Sequence, residues 1–78
     1  MSGQRAKIEV EEGDLRRRRL LAAFVDAMGG ERERLAHPGW CGYSFDGDDD
    51  ADAAVETLRS LGYYVAKRPG WAYRGGKL

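Results

Sequence analysis

The chain has 78 residues, 42% of them hydrophobic and 33% charged, and its thirteen basic and thirteen acidic side chains cancel. This composition excludes an intrinsically disordered chain, and no stretch reaches the ~20 consecutive apolar residues that a membrane-spanning helix needs. It predicts one small cytoplasmic domain over residues 1–78, with loose termini at 1–5 and 75–78. The single cysteine, Cys41, has no partner for an intramolecular disulfide.

The first half of the chain predicts a strand followed by a helix. In AKIEVEE (residues 6–12) apolar residues alternate with charged ones, which is typical of a half-buried strand. Asp14 is suited to cap a helix, and Gly29-Gly30 is suited to end it. Between them, apolar residues recur at helical spacing. They are Leu20, Leu21, Phe24, Val25 and Met28.

The second half continues with strands and a second helix. ERERLA (31–36) is compatible with a helical turn or with a strand, whereas WCGYSF (40–45) and YYVAK (63–67) predict strands. The acidic run between these two strands opens a helix that Gly62 ends. WAYR (71–74) predicts a last short strand. The apolar residues of the second helix are Ala51, Ala54, Val55, Leu58 and Leu61.

The tripeptide Pro-Gly-Trp occurs twice, at residues 38–40 and 69–71. Proline followed by glycine favours a type II turn. One turn solution used twice is therefore the favoured explanation, with an ancient duplication as the alternative. Because a type II turn splays the strands that it joins, we expect each Pro-Gly pair in a longer loop rather than in a two-residue hairpin.

Together these elements predict an α+β fold in the order β-α-(β)-β-α-β-β. Two helices pack on one face of a four- or five-stranded, mostly antiparallel sheet, and the other face is partly open to solvent. Six apolar side chains are expected in the core between the helices and the sheet. They are Leu21, Phe24, Val25, Val55, Leu58 and Leu61.

Charge is strongly segregated along the chain. Residues 45–56 carry six acids and no base, whereas residues 57–78 carry five bases and no acid. The acids suit the partially positive start of the second helix, but they exceed what capping requires. Arg16–Arg19 occupy the first turn of the first helix, where cations are disfavoured. We expect them to be compensated by the aspartate cluster, by an anionic ligand such as phosphate, or by an acidic partner.

The sequence predicts no metal site, no cofactor and no enzymatic activity. Asp46, Asp48 and Asp50 match positions one, three and five of an EF-hand calcium loop, but the glycine and the glutamate required at positions six and twelve are missing. There is no Gly-rich phosphate loop. His37 has no nucleophile or carboxylate at a spacing that indicates a catalytic triad.

The last part of the chain predicts an aromatic, basic face. If Pro69-Gly70 closes a tight hairpin, the outward side chains of the two joined strands share one face without an acid. They are Tyr64, Arg68, Trp71 and Tyr73, followed by Arg74. Such a face is suited to stacking nucleic-acid bases or to binding a protein, since Trp, Tyr and Arg are enriched at interfaces. Alternatively, Trp71 folds back over the edge of the core.

In its size, its lack of catalytic motifs and its acidic run DGDDDAD (46–52) opposite a basic tail, the chain resembles the anti-CRISPR proteins, the small phage-encoded inhibitors of bacterial defence. The resemblance implies a rigid domain that blocks a nucleic-acid-handling complex. It would do so by occupying the nucleic-acid-binding surface of that complex with carboxylates.

Two functions follow as expectations. The first is a non-enzymatic, protein-binding inhibitor. Its partner is expected to contact Asp46, Asp48, Asp49, Asp50, Asp52, Tyr64, Arg68, Trp71, Tyr73 and Arg74. The alternative is a nucleic-acid-binding module that uses the basic aromatic C-terminal hairpin and an anion-binding block. That block consists of Arg16, Arg17, Arg18 and Arg19, but the zero net charge of the chain disfavours this alternative.

Overall fold

The computed structural model describes residues 5–34 and 37–69, with the backbone alone at positions 68 and 69. Its elements are β1 (Ala6–Glu11), α1 (Leu15–Ala27), β2 (Glu31–Glu33), β3 (Trp40–Phe45), α2 (Asp48–Ser60) and β4 (Val65–Pro69). This is the predicted α+β fold, and the ambiguous segment ERERLA begins with a strand. The predicted last strand, at 71–74, lies outside the described residues.

The four strands form one antiparallel sheet in the order β2-β3-β1-β4. β1 is central, because Ile8 lies opposite Tyr43 of β3 on one side and opposite Lys67 of β4 on the other. The chain therefore consists of two β-α-β units whose strands interleave, which is the ferredoxin-like arrangement. The helices of the two units have 13 residues each.

One face of the sheet carries the core and is covered by both helices. The alternation predicted for residues 6–12 places every second side chain of β1 on this face, and β3 and β4 contribute in the same way. The core residues are Ala6, Ile8, Val10, Leu21, Val25, Tyr43, Phe45, Ala51, Ala54, Val55, Leu58 and Val65. The residues that alternate with them lie on the opposite, open face of the sheet. They are Lys7, Glu9 and Glu11 in β1, and Trp40, Gly42 and Ser44 in β3.

The ends of the helices follow from local sequence. Asp14 caps α1, because its carboxylate accepts hydrogen bonds from two backbone N–H groups of the first turn. Gly29 and Gly62 follow α1 and α2 with φ angles of 91° and 97°, in the left-handed region that favours glycine. The predicted start of α1 and both predicted helix ends are thereby confirmed. The N-cap of α2 is Gly47, which has no side chain to form a capping hydrogen bond.

The first Pro-Gly pair forms a type II turn. Gly39 has a φ of 83°, and the Trp40 N–H donates to the carbonyl oxygen of His37 at 3.2 Å. The turn lies within the connection from β2 to β3, so it belongs to a longer loop, as predicted. Pro69 of the second pair ends β4, and Gly70 lies outside the described residues. Each Pro-Gly pair thus follows the second strand of a β-α-β unit.

Two predicted core residues are not buried. Phe24 is 44% exposed and Leu61 is 53% exposed. The apolar side chains of α1 form two parallel ridges. Leu21 and Val25 face the sheet, whereas Leu20 and Phe24 point away from it. Both ridges have the same i, i+4 spacing, so the spacing did not identify the one that packs on the sheet. The other four predicted core residues are buried.

Candidate functional site

The predicted acidic run lies at the start of α2. Asp46 follows β3, and Asp48, Asp49 and Asp50 form the first helical turn, where the helix dipole favours carboxylates. No aspartate forms a side-chain cap, because Gly47 occupies the N-cap. Since Asp48 and Asp50 are helical, these residues do not wrap around a cation as an EF-hand loop does.

Lys67 binds two of these aspartates. Its ammonium nitrogen lies 3.3 Å from Asp48 Oδ1 and 2.8 Å from Asp52 Oδ1. The hydrogen bond to Asp52 is the main cause of a raised Lys67 pKa, so the lysine stays charged throughout the neutral range. Among the described side chains, Asp49 and Asp50 have no ion-pair partner.

Arg5 joins the acidic run to the edge of the sheet. Its guanidinium contacts Asp46 and lies 3.5 Å from Glu31 of β2. Its Nε donates to Ser44 Oγ at 3.0 Å, and Ser44 Oγ donates to Glu33 Oε2 at 2.6 Å. Ser44 is buried although it lies on the open face, because the long side chains that bind it also cover it.

Carboxylates of β2 and of the start of α2 are linked through Arg5. Glu31 and Glu33 lie on the open face of the sheet at β2, and Arg5 connects them to the start of α2. We call this the acidic surface; it consists of Glu31, Glu33, Asp46, Asp48, Asp49, Asp50 and Asp52. Sequence reasoning missed its two glutamates because the segment ERERLA was compatible with two conformations. Only as a strand does it bring both glutamates to the open face.

Arg16–Arg19 lie at the opposite end of the molecule. α1 starts where β1 ends, whereas α2 starts beside the residues where β1 begins. Arg18 Nε donates to the carbonyl oxygen of Glu12 at 2.7 Å. Within residues 5–34 and 37–69, no carboxylate forms an ion pair with any of the four arginines. The aspartate cluster therefore does not compensate them.

The predicted aromatic face is divided between the two ends of β4. Tyr64 is exposed, and its carbonyl oxygen accepts the N–H of Glu11 at 3.0 Å, which places it at the arginine end. Arg68 pairs with Lys7 at the acidic end. Tyr64 is therefore not close to the aspartates, and the side chain of Arg68 lies outside the described part of the chain. Trp71, Tyr73 and Arg74 lie outside the described residues.

An apolar groove lies between α1 and the segment that joins α2 to β4. Its volume is 730 Å³, and its lining includes the exposed side chains of Leu20, Phe24, Leu61 and Tyr64. Leu20 is 71% exposed. Leu20, Phe24 and Leu61 are thus large apolar side chains that the single chain leaves exposed at one place. The sequence did not reveal this groove, since Phe24 and Leu61 were predicted to belong to the core.

No group of three or more His, Cys, Asp or Glu side chains within the described residues is placed to hold a metal ion. In the same part of the chain, neither helix is long and apolar enough to cross a membrane. Comparisons with protein-family models, with curated proteins and with solved structures gave no match to this chain.

Proposed function

We propose that the protein is a non-enzymatic, protein-binding inhibitor that presents the acidic surface to a basic, nucleic-acid-binding surface of its partner. The main support for this proposal comes from Asp49 and Asp50. Both carboxylates are exposed and lack an ion-pair partner among the described side chains, beside the other acids of this surface. Carboxylates so close together repel one another. A basic partner would offset that repulsion.

The distribution of charge over the molecule suits this role. The acidic surface and Arg16–Arg19 occupy opposite ends, so a chain without net charge presents one strongly negative end. Attraction between that end and a basic groove would speed association. Arg5 and Lys67 hold several of the carboxylates in place before binding, which reduces the entropy lost on association. A carboxylate surface in the place of nucleic acid is also what the resemblance to anti-CRISPR proteins implies.

The alternative function is nucleic-acid binding through Arg16–Arg19. One observation favours it, because these arginines lack ion-pair partners among the described residues and a phosphate backbone would supply them. Sheets that bind single-stranded RNA stack bases on aromatic side chains of their open face. Here that face carries the carboxylates of Glu9, Glu31 and Glu33 beside the cations of Lys7 and Arg5, so it is not the basic surface that a phosphate backbone requires. The inhibitor proposal therefore accounts for more of the structure.

Two double variants distinguish these functions. Asp49→Asn with Asp50→Asn removes two charges from the acidic surface without breaking an ion pair or a cap. The control, Asp26→Asn with Glu56→Gln, removes two exposed charges elsewhere. The measurement is the binding rate and the salt dependence for a basic protein captured from extracts of cells that carry the gene. We expect the first variant to associate about tenfold more slowly and with weaker salt dependence, and the control to behave as the wild type.

A gel shift at low salt tests the alternative directly. Strong retention of DNA or RNA by the wild-type protein, increased by the Asp49→Asn and Asp50→Asn substitutions, would contradict the inhibitor proposal. That result would instead support binding through Arg16–Arg19, since removing two acids would then relieve repulsion of phosphates.

A further inference from the structure

We propose that the apolar groove is the twofold interface of a homodimer, in which the ridge of Leu20 and Phe24 from each chain enters the groove of the other. These two side chains and Leu61 are large, apolar and exposed in the single chain. They lie together as part of the lining of one groove. A second copy of the same surface would remove all three from water in both chains.

The charges at the rim of the groove favour a second copy over a strongly acidic or strongly basic partner. Arg17 lines the groove from α1, and Glu11 and Glu12 line it from the turn between β1 and α1. Arg17 has no ion-pair partner among the described residues. In a twofold interface each contact occurs twice, so Arg17 of either copy would meet a rim glutamate of the other. A strongly acidic or strongly basic partner would instead meet a like charge at one side of this rim.

The position of the groove is compatible with self-association. The groove lies at the arginine end, away from the acidic surface. A dimer would therefore leave both acidic surfaces free. This inference stands whether or not the inhibitor proposal is correct.

The size of the groove predicts a reversible dimer. Eleven residues line it, which is about half of the 20–30 residues per partner in an interface of standard size. We therefore expect a dissociation constant on the order of micromolar. At lower concentrations the protein would be monomeric.

Sedimentation equilibrium of the full chain over concentrations from about 1 μM to 1 mM tests the proposal. We expect a monomer–dimer equilibrium for the wild type and a dimer dissociation constant at least tenfold larger for Leu20→Glu. Leu15→Glu is the matched control, since Leu15 is 72% exposed on the same helix but does not line the groove. It should dimerise as the wild type does. A wild-type protein that stays monomeric at every concentration overturns the proposal, as does equal weakening by both substitutions.

Charge reversal provides a second test that does not depend on substituting an apolar residue. Arg17→Glu alone and Glu11→Lys alone should each weaken self-association, because each creates two like-charge contacts across the twofold axis. An equimolar mixture of the two variants restores opposite charges at both contacts. We expect the mixture to form a heterodimer at least tenfold more stable than either homodimer. A mixture no more associated than its components would show that these residues do not face each other across a twofold interface.

Discussion

Raising the pH should destabilise the protein through one buried phenol. Tyr43 lies in the core, 2% exposed, and burial, reinforced by the neighbouring Cys41, raises the pKa of Tyr43 from 10.0 to about 12. The folded state therefore holds this proton more tightly than the unfolded chain. The stability that results is complete below pH 10 and is lost as the pH rises towards 12. A pKa difference of two units corresponds to about 2–3 kcal/mol of unfolding free energy. That is a large part of the ~5 kcal/mol of unfolding free energy expected for so small a domain.

Urea denaturation followed by far-UV circular dichroism, at intervals from pH 8 to pH 12, measures this loss. We expect the free energy of unfolding of the wild type to fall by about 2–3 kcal/mol more than that of Tyr43→Phe, which has no phenol to ionise. Tyr64→Phe removes an exposed phenol and should follow the wild type. Parallel curves for the wild type and Tyr43→Phe would refute the reasoning, since burial of the hydroxyl would then have no energetic consequence.

Three further substitutions and one control test the core and its hydrogen bonds. Leu58→Ala leaves a cavity at a fully buried position and should lower the free energy of unfolding by about 2–4 kcal/mol. A thermal melt close to that of the wild type would contradict the placement of α2. Gly30→Ala should cost about 1–3 kcal/mol, because the added Cβ would lie 2.5 Å from Val25 Cγ1. Gly13→Ala, with no atom within 4 Å of the added Cβ, should change the melting temperature little. Ser44→Ala removes the buried hydroxyl that bonds two charged side chains, and urea denaturation should show a loss of about 1–2 kcal/mol.

Most of the fold could be predicted because its elements carry periodic signals. The alternation in residues 6–12 and the helical spacing after Asp14 each indicated one conformation, and the glycines marked where helices end. β2 gave no such signal. Its residues Glu31–Glu33 are all charged, and they form a strand because β3 offers a free edge with which to pair. Pairing across a sheet is a tertiary effect that the local sequence does not encode.

The candidate site could be predicted only in part. The aspartates were recognised because they lie close together in the sequence, but their cation partners are distant in it: Arg5 precedes β1, and Lys67 lies in β4. The groove was missed for a different reason. A helix with two apolar ridges can bury either of them, and the side chains left exposed, Leu20 and Phe24, look in the sequence like those that are buried.

The interleaving of the two β-α-β units determines when the nascent chain can become ordered on the ribosome. β1 and β2 are synthesised first but are not neighbours, because β3 lies between them in the sheet. A nascent chain that stops before Trp40 therefore contains no native strand pair. At about 5–20 residues per second, the remaining strands follow only after several seconds. During that delay the charged residues between Ile8 and its apolar neighbours act as gatekeepers against aggregation, and no two strands of the sheet can pair until β3 has been synthesised.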